Sequence, residues 1–381
     1  MITPRLATFI VFVINGAAVG TWAALIPSIK ESLNASATEI GIVILVMNAG
    51  ALVAQQVTGQ LLMRVASERL LTLVLLVYPW LVIPPLLAPS ALALAVVMAA
   101  FGFLNTTVDV VMNAHGVALE TKGGQSILSG LHAGWSFGGI IGSLGVALAL
   151  AIGLEPLIEV VIAAVVMWLV AVGVSRFLGH GSVRAEGRGG IHWPTRAVLP
   201  LAVLIILIAF VEGGLADWGG VYLSEGVGAE ASVAAFAFAA LSAGLFVARI
   251  GGDWAKDRIG SVRLIQLGML LTAVSIAAFL VVGSPLVALV GLFMAGVGIA
   301  NVVPQIFGAA GRIPPHGPSL SAVFTSLTLT FMIGPTIIGA VADETDIGAA
   351  LWLLAAASLV VALMVSRFPA AETNPRFRRT E

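Results

Sequence analysis

Residues 53–71, VAQQVTGQLLMRVASERLL, align without a gap on residues 247–265, VARIGGDWAKDRIGSVRLI, at a shift of 194, with Val, Ala, Arg, Ser, Arg and Leu coinciding. Each stretch closes one apolar run with a short basic segment and opens the next. The same shift brings Gly102 onto Gly296, and a shift of 196 brings Trp22 onto Trp218. Self-similarity at this period across most of each half means that the chain is built from two related halves.

Around these segments the chain is overwhelmingly apolar. Of 381 residues, 59% are hydrophobic and 10% are charged, with a mean hydropathy of +1.08. A soluble domain carries about 25% charged residues because it must cover itself with them, so the solvent here is lipid. Apolar stretches long enough to cross a hydrocarbon core of about 30 Å as helices fall near 5–27, 39–63, 70–88, 91–112, 126–152 and 155–177. A second set falls near 197–222, 231–254, 260–283, 285–309, 319–341 and 347–368. The first run follows Met1-Ile-Thr-Pro-Arg5 and lacks a small-residue cleavage pattern, so it reads as a span and not as a signal peptide. The expected fold class is an all-α membrane protein of twelve transmembrane helices in two pseudo-symmetric six-helix halves. Residues 1–177 form the first half, 178–196 a polar cytoplasmic linker, 197–368 the second half and 369–381 a cytoplasmic tail.

Lys and Arg set the orientation. With both termini in the cytoplasm, 17 of the 18 basic residues fall on that side and only Lys30 lies outside, as the positive-inside rule requires. The opposite loops carry Glu31, Glu39, Glu155, Glu159, Glu225, Glu230, Asp343, Glu344 and Asp346, which read as solvated loop charge. This places the chain as a multi-pass protein of the cell (inner) membrane.

Several function classes drop out. A net charge of −1 without a basic face argues against a nucleic-acid partner. Cysteine is absent and the five histidines show no ligand spacing, so no metal or other cofactor is expected. There is no phosphate-binding G-x-x-x-x-G-K-S/T and no H-E-x-x-H. Gly134-Trp-Ser136-Phe-Gly138 matches a hydrolase pattern but sits inside a membrane helix instead of a strand-turn-helix elbow. An enzyme is therefore not expected, and any driving energy comes from a gradient.

Twelve spans, a central loop and basic segments after spans 2 and 8 resemble the major facilitator superfamily along essentially the whole chain. Asp253-Trp-Ala-Lys-Asp257-Arg258-Ile-Gly260 is similar to that superfamily's loop motif, while Gly59-Gln-Leu-Leu-Met-Arg64 lacks its aspartate. Leu25-Ile26-Pro27, the Gly59 segment and Asp109-x-x-x-Asn113 resemble the fucose permease branch and its bacterial inner-membrane relatives. Fucose permeases carry a carboxylate four residues before the span-1 proline; that place is Ala23 here, which argues against fucose as the solute. The resemblance implies alternating access, with the loop residues clamping the cytoplasmic side. Arg249, Asp253, Asp257 and Arg258 are the gating candidates on that basis.

An ionisable side chain within a span costs at least ~2.5 kcal/mol by insertion scales, so those that persist face a cavity or a partner. Asn105, Asp109 and Asn113 recur every four residues and share one face of span 4. His132, about seven residues into span 5, lies at the depth of Asp109, and adjacent helices would let them pair. Such a carboxylate would have a proton affinity set by water access. Span 7 adds Glu212 and Asp217 in VEGGLADWGGVYL (211–223), whose glycines make it prone to break and line a cavity. Asp109, Glu212, His132 and Asp217 are the proton-coupling candidates. Asn15, Trp22, Asn48, Asn105, Asn113, Trp135, Asn301 and Gln305 are the substrate-binding candidates, the amides for hydrogen bonding and the indoles for stacking. Gly134, Gly138 and Gly142 recur every four residues and read as sites of close helix approach.

The resulting expectation is a secondary transporter that symports a small polar, sugar-like solute with protons and works as a monomer. Its partners are that solute, protons and membrane lipid. Export of amphipathic or toxic compounds by proton antiport is the alternative, and a transporter-shaped receptor a third reading.

Overall fold

The computed structural model describes residues 2–123, 127–178 and 193–367, without the side chains of Thr121, Ser129, Asp253, His316 and Arg367. Helix is the regular structure throughout the described residues, as expected where lipid offers no partner to backbone N–H and C=O groups. Eleven helices among them are long and apolar enough to span a membrane, and a bent pair supplies a twelfth.

In the first half the spans are α1 (Pro4–Ser32), α2 (Ala37–Leu62), α3 (Ser67–Leu75 continued by Tyr78–Leu87), α4 (Ala91–Gly123), α5 (Leu128–Ala151) and α6 (Pro156–Ser175). In the second they are α7 (Leu199–Gly226), α8 (Ala231–Ile259), α9 (Ser261–Val282), α10 (Pro285–Ala310), α11 (His316–Glu344) and α12 (Ile347–Met364). Local chemistry fixes several ends. Thr3 caps α1 by accepting from Leu6 N, with Pro4 at the first helical position, where its missing N–H costs nothing. Ser36 and Glu39 form a reciprocal capping box on α2, and Asp346 accepts from Ala349 N to cap α12.

The helices overrun the apolar runs. The first continues through Pro27 to Ser32, α4 runs on to Gly123 and α8 to Ile259, because a helix started in lipid propagates into the interface for one hydrogen bond per residue. Breaks fall elsewhere than expected. The glycine-rich α7 is continuous and ends in a π-type turn over Tyr222–Gly226. Gly213 is packed by Phe331, and Gly214 by Ile338 and Leu354, so these glycines admit bulky neighbours instead of bending the helix. The bend is in α3, 43° between its two segments, where Pro79 removes a donor. A further interruption in α10 falls at Ala300–Asn301.

The chain divides into two compact units, Met1–Gly189 with Glu230–Ala239, and Gly190–Ala229 with Ala240–Glu381. Most of the expected linker 178–196 and all of the tail 369–381 lie outside the described residues. Within the first unit, a Cβ at Gly50 would collide with Ala99 O and one at Gly102 with Met47 O, so α2 and α4 touch backbone to backbone. Within the second, Gly244 meets Phe293 O and Gly296 meets Leu241 O in the same way. All four partners correspond at the shift of 194, so the repeat is written in the packing as well as in the sequence. The first turns of α8 belong to the first unit, and Ser143 on α5 enters their ladder, donating to Ala235 O at 2.6 Å and accepting from Ala239 N at 3.1 Å.

Candidate functional site

Four spans of the first unit bring polar side chains to one place. Close approach makes room for it: α5 lies against α1 because Gly138 and Gly142 meet the backbone at Val13 and Ala17, and Gly16 meets Trp135 O. Gly134 instead packs on the Phe9 ring. Trp135 Nε1 then donates to Asn15 Oδ1 at 2.9 Å, and Asn15 Nδ2 donates to Asn105 Oδ1 at 2.9 Å. From the second segment of α3, Tyr78 Oη donates to the same Asn105 oxygen at 2.6 Å and accepts from Asn15 Nδ2 at 3.3 Å. Asn15 and Tyr78 are almost fully buried, whereas Asn105 and Trp135 are half-buried. The bonded core is sealed and its rim is open.

One turn further along α4, Asp109 Oδ1 accepts from Asn113 Nδ2 at 3.2 Å, and the same amide donates to Asp109 O at 2.9 Å. Asp109 is half-buried, and its charge reaches the Tyr78 phenol. Asn105 Nδ2 and Asp109 Oδ2 have no hydrogen-bond partner among the described residues. A donor and an acceptor are thus left on one helix face, beside a half-buried indole. His132 packs edge-on against Phe12 with ring centroids 5.4 Å apart, while the hydrogen bond of Asp109 is with Asn113.

Other candidates sit apart. Asn48 Nδ2 donates to Ile44 O of its own helix at 2.9 Å. Trp22 is buried with its indole N–H unpartnered, as is its repeat counterpart Trp218. In the second unit Asn301, at the interruption of α10, donates to Ala248 O at 3.0 Å and presses against Gly252, while Gln305 Oε1 accepts from Ser261 at 2.8 Å. Both amides tie neighbouring helices. Glu212 on α7 lies within electrostatic reach of Arg249 on α8, and both are half-buried. Asp217, also half-buried, precedes the fully buried Trp218.

At the end of α8, Asp257 and Arg258 are exposed, with the Arg258 guanidinium 5.6 Å over the Trp254 ring. The side chain of Asp253 lies outside the described residues.

Three features escaped sequence reasoning. Tyr78, one of two tyrosines in the chain, was hidden because hydropathy reads an aromatic in a span as lipid-facing; the Pro79 beside it was the available signal. His115 is fully buried, with Nδ1 3.1 Å from Ser67 Oγ and Nε2 3.0 Å from Leu178 O. A carbonyl only accepts, so Nε2 carries a proton. Glu159 corrects the reading of solvated loop charge: it stands in the first turn of α6, half-buried, with Oε2 sealed and unpartnered. No group of three or more His, Cys, Asp or Glu suited to a metal occurs among the described residues.

A multi-pass helical membrane protein with two repeated units and a polar cluster inside one of them is the architecture of a solute carrier. Residues 8–319 match the model of the Major Facilitator Superfamily, and the chain belongs to that family. Its members are transporters, not enzymes. An uncharacterized MFS-type transporter of Yersinia pestis is 28% identical over 367 residues, 95% of this chain and 94% of that one. The membrane protein MosC of Rhizobium meliloti is 29% identical over 366 residues, 92% and 86% of the two chains. Among solved structures, the nucleoside transporter NupG matches with a TM-score of 0.71 at 15% identity over 96% of this chain and 98% of that one. A bacterial homolog of the human lysosomal transporter Spinster, inward-facing and occupied, matches at 0.69 and 15% over 97% and 98%. At these identities the structures establish the fold alone.

Proposed function

We propose that this transporter is a proton-coupled symporter of a small polar, hydroxylated solute, with Asp109 as the proton carrier and the Asn15–Tyr78–Asn105–Trp135 cluster as part of its binding site. The observation that supports this reading is the unused pair on α4: the Asn105 amide donor and the Asp109 Oδ2 acceptor, both on the open rim of the network. A hydroxyl group donates and accepts at once, so a polyol or a ribose fits that pair, and Trp135 offers a flat face to a sugar or a base. The carboxylate must be neutralised when the cavity loses water, which ties proton binding to closure. Glu212, Asp217 and His132 are the secondary candidates. Residues 1–177 and 197–368 are the two bodies of an alternating-access cycle, with both termini cytoplasmic, Asp257 and Arg258 at the cytoplasmic gate, and the monomer as the working unit.

The test is a thermal-shift screen of purified protein against sugars, nucleosides, amino acids and amphipathic drugs at two pH values, because a ligand stabilises the state it binds by mass action. A polar hit whose shift depends on pH and is lost in Asn105→Ala supports the reading. Hits confined to amphipathic drugs favour proton-coupled export instead, a reading for which a separate apolar cavity between α5 and α6 speaks.

A further inference from the structure

A cavity of about 430 Å³ opens between α1, α5 and α6 of the first unit, and none of the Asn15–Asp109 cluster lines it. Its walls are almost entirely apolar, and Leu148, Ile152 and Val166 on its border are each more than half exposed. In a span, such side chains face acyl chains. From Glu159 to Met167 on α6 the cavity extends eight residues, about 12 Å at 1.5 Å per residue, close to the depth of one leaflet. It lies toward the end of the bundle opposite the basic loops.

Two polar groups interrupt this apolar wall, and both lack a partner. Thr21 on α1 is 1% exposed, and its Oγ1 is buried without a hydrogen bond. Glu159 on α6 has its Oε2 buried without one, and it is the one charged group among the lining residues, none of which is basic. Both border the same glycine face of α5. Gly142 abuts the Thr21 backbone, and a Cβ at Gly145 would come within 3.1 Å of Glu159 Oε1, so the two groups sit on neighbouring turns. A buried hydroxyl and a sealed carboxylate oxygen without partners are each costly, and a carboxylate in a span is retained only with a partner or a function.

We propose that this cavity is a binding site for a lipophilic organic cation, an ammonium head on an apolar body, that enters sideways from the membrane. The ammonium donates to Glu159, while its hydrocarbon part fills the wall between α5 and α6. The lining selects against zwitterionic lipid heads, because a phosphate brought beside Glu159 would meet an acid and no base. This site rests on no part of the solute reading above, so either can fail alone.

The experiment measures binding of tritiated phenylbutylammonium to the full-length protein in phosphatidylcholine nanodiscs, with uncharged phenylbutanol as competitor. The expected result is saturable binding that phenylbutanol does not displace, weakened about tenfold in Glu159→Gln by loss of a charge-assisted hydrogen bond. Ala163→Phe, which fills the cavity one turn from the acid, is expected to abolish it while the protein still melts cooperatively. If phenylbutanol competes equally, or if both variants bind as the parent does, the ligand is merely partitioning into lipid and the site is refuted. Should Glu159→Gln not fold, the Ala163→Phe and phenylbutanol results decide on their own.

Discussion

Asp109 and Asn105 sit one turn apart on α4, yet their surroundings give them different duties. The Asn105 oxygen takes two donors, from Asn15 and Tyr78, and so holds α1, α3 and α4 in register. Asp109 is held on one oxygen only, by a residue of its own helix, and nothing in that arrangement needs the charge. Asp109→Asn therefore keeps the shape and removes the proton. With one proton carried per solute, a pH gradient of one unit is worth 1.36 kcal/mol and supports accumulation of about tenfold. In proteoliposomes, Asp109→Asn is expected to reduce that ratio to about one while leaving solute counterflow intact, since exchange needs no net proton movement. Retained accumulation would transfer the coupling role to Glu212 or Asp217. The i, i+4 pattern made the polar face of α4 legible from the sequence. Periodicity says which residues share a face, but not which neighbour that face meets, and for that reason Tyr78 was missed and His132, at the right depth, packs on Phe12.

Among the helices, the legible and the illegible divide along physical lines. Span number follows from hydropathy because lipid tolerates few alternatives to a long apolar helix. The bend of α3 and the continuity of α7 depend on what lies beside them: Phe331, Ile338 and Leu354 fill the space that glycines leave in α7. Glu159 was misread for a related reason: the expected span 155–177 already contained it, but hydropathy does not say whether a charge at a helix end faces water or a neighbour. Here it stands in the first turn of the helix that begins at Pro156. Where glycine sets backbone contact, the repeat makes a quantitative demand. Gly102 against Met47 O and Gly296 against Leu241 O are equivalent packings, so Gly102→Val and Gly296→Val should each cost about 1–3 kcal/mol by overpacking. Their unfolding midpoints should fall by similar amounts, and a large fall at one position with none at the other would mean that the packing of the two units is not equivalent. The Glu212–Arg249 pair makes a second demand, between α7 and α8. Arg249→Met strands a carboxylate in a span and is expected to destabilise by about 2 kcal/mol, below the range for sealed pairs because both groups are half-buried. The double variant Glu212→Gln with Arg249→Met should recover most of that loss in a thermal unfolding series, and no recovery would show that the two charges are not coupled.

Across the whole molecule, the strongest statement of the sequence concerns direction. Seventeen of 18 basic residues fall on one side of the twelve spans, and the sign of this asymmetry, unlike the rotation of any helix, is settled while the chain inserts. The two-unit division follows the internal repeat, apart from the first turns of α8, which lie in the first unit and are bonded by Ser143. No hydropathy profile could show that a single hydroxyl would enter a neighbouring helix. Direction matters to every functional reading, because the cavity beside Glu159 and the exposed Asp257 and Arg258 acquire a side only once it is known. The absence of cysteine makes direction directly measurable. Asn34, exposed in the turn after α1, and Met63, exposed at the end of α2, lie at opposite ends of one span. In intact cells a membrane-impermeant maleimide should label Asn34→Cys and leave Met63→Cys untouched, and in inverted vesicles the pattern should reverse. A reversed pattern in intact cells would put the basic loops outside and place the Glu159 cavity in the cytoplasmic leaflet. Labelling of both positions in intact cells would mean that α2 does not cross the membrane, against the repeat that pairs it with α8.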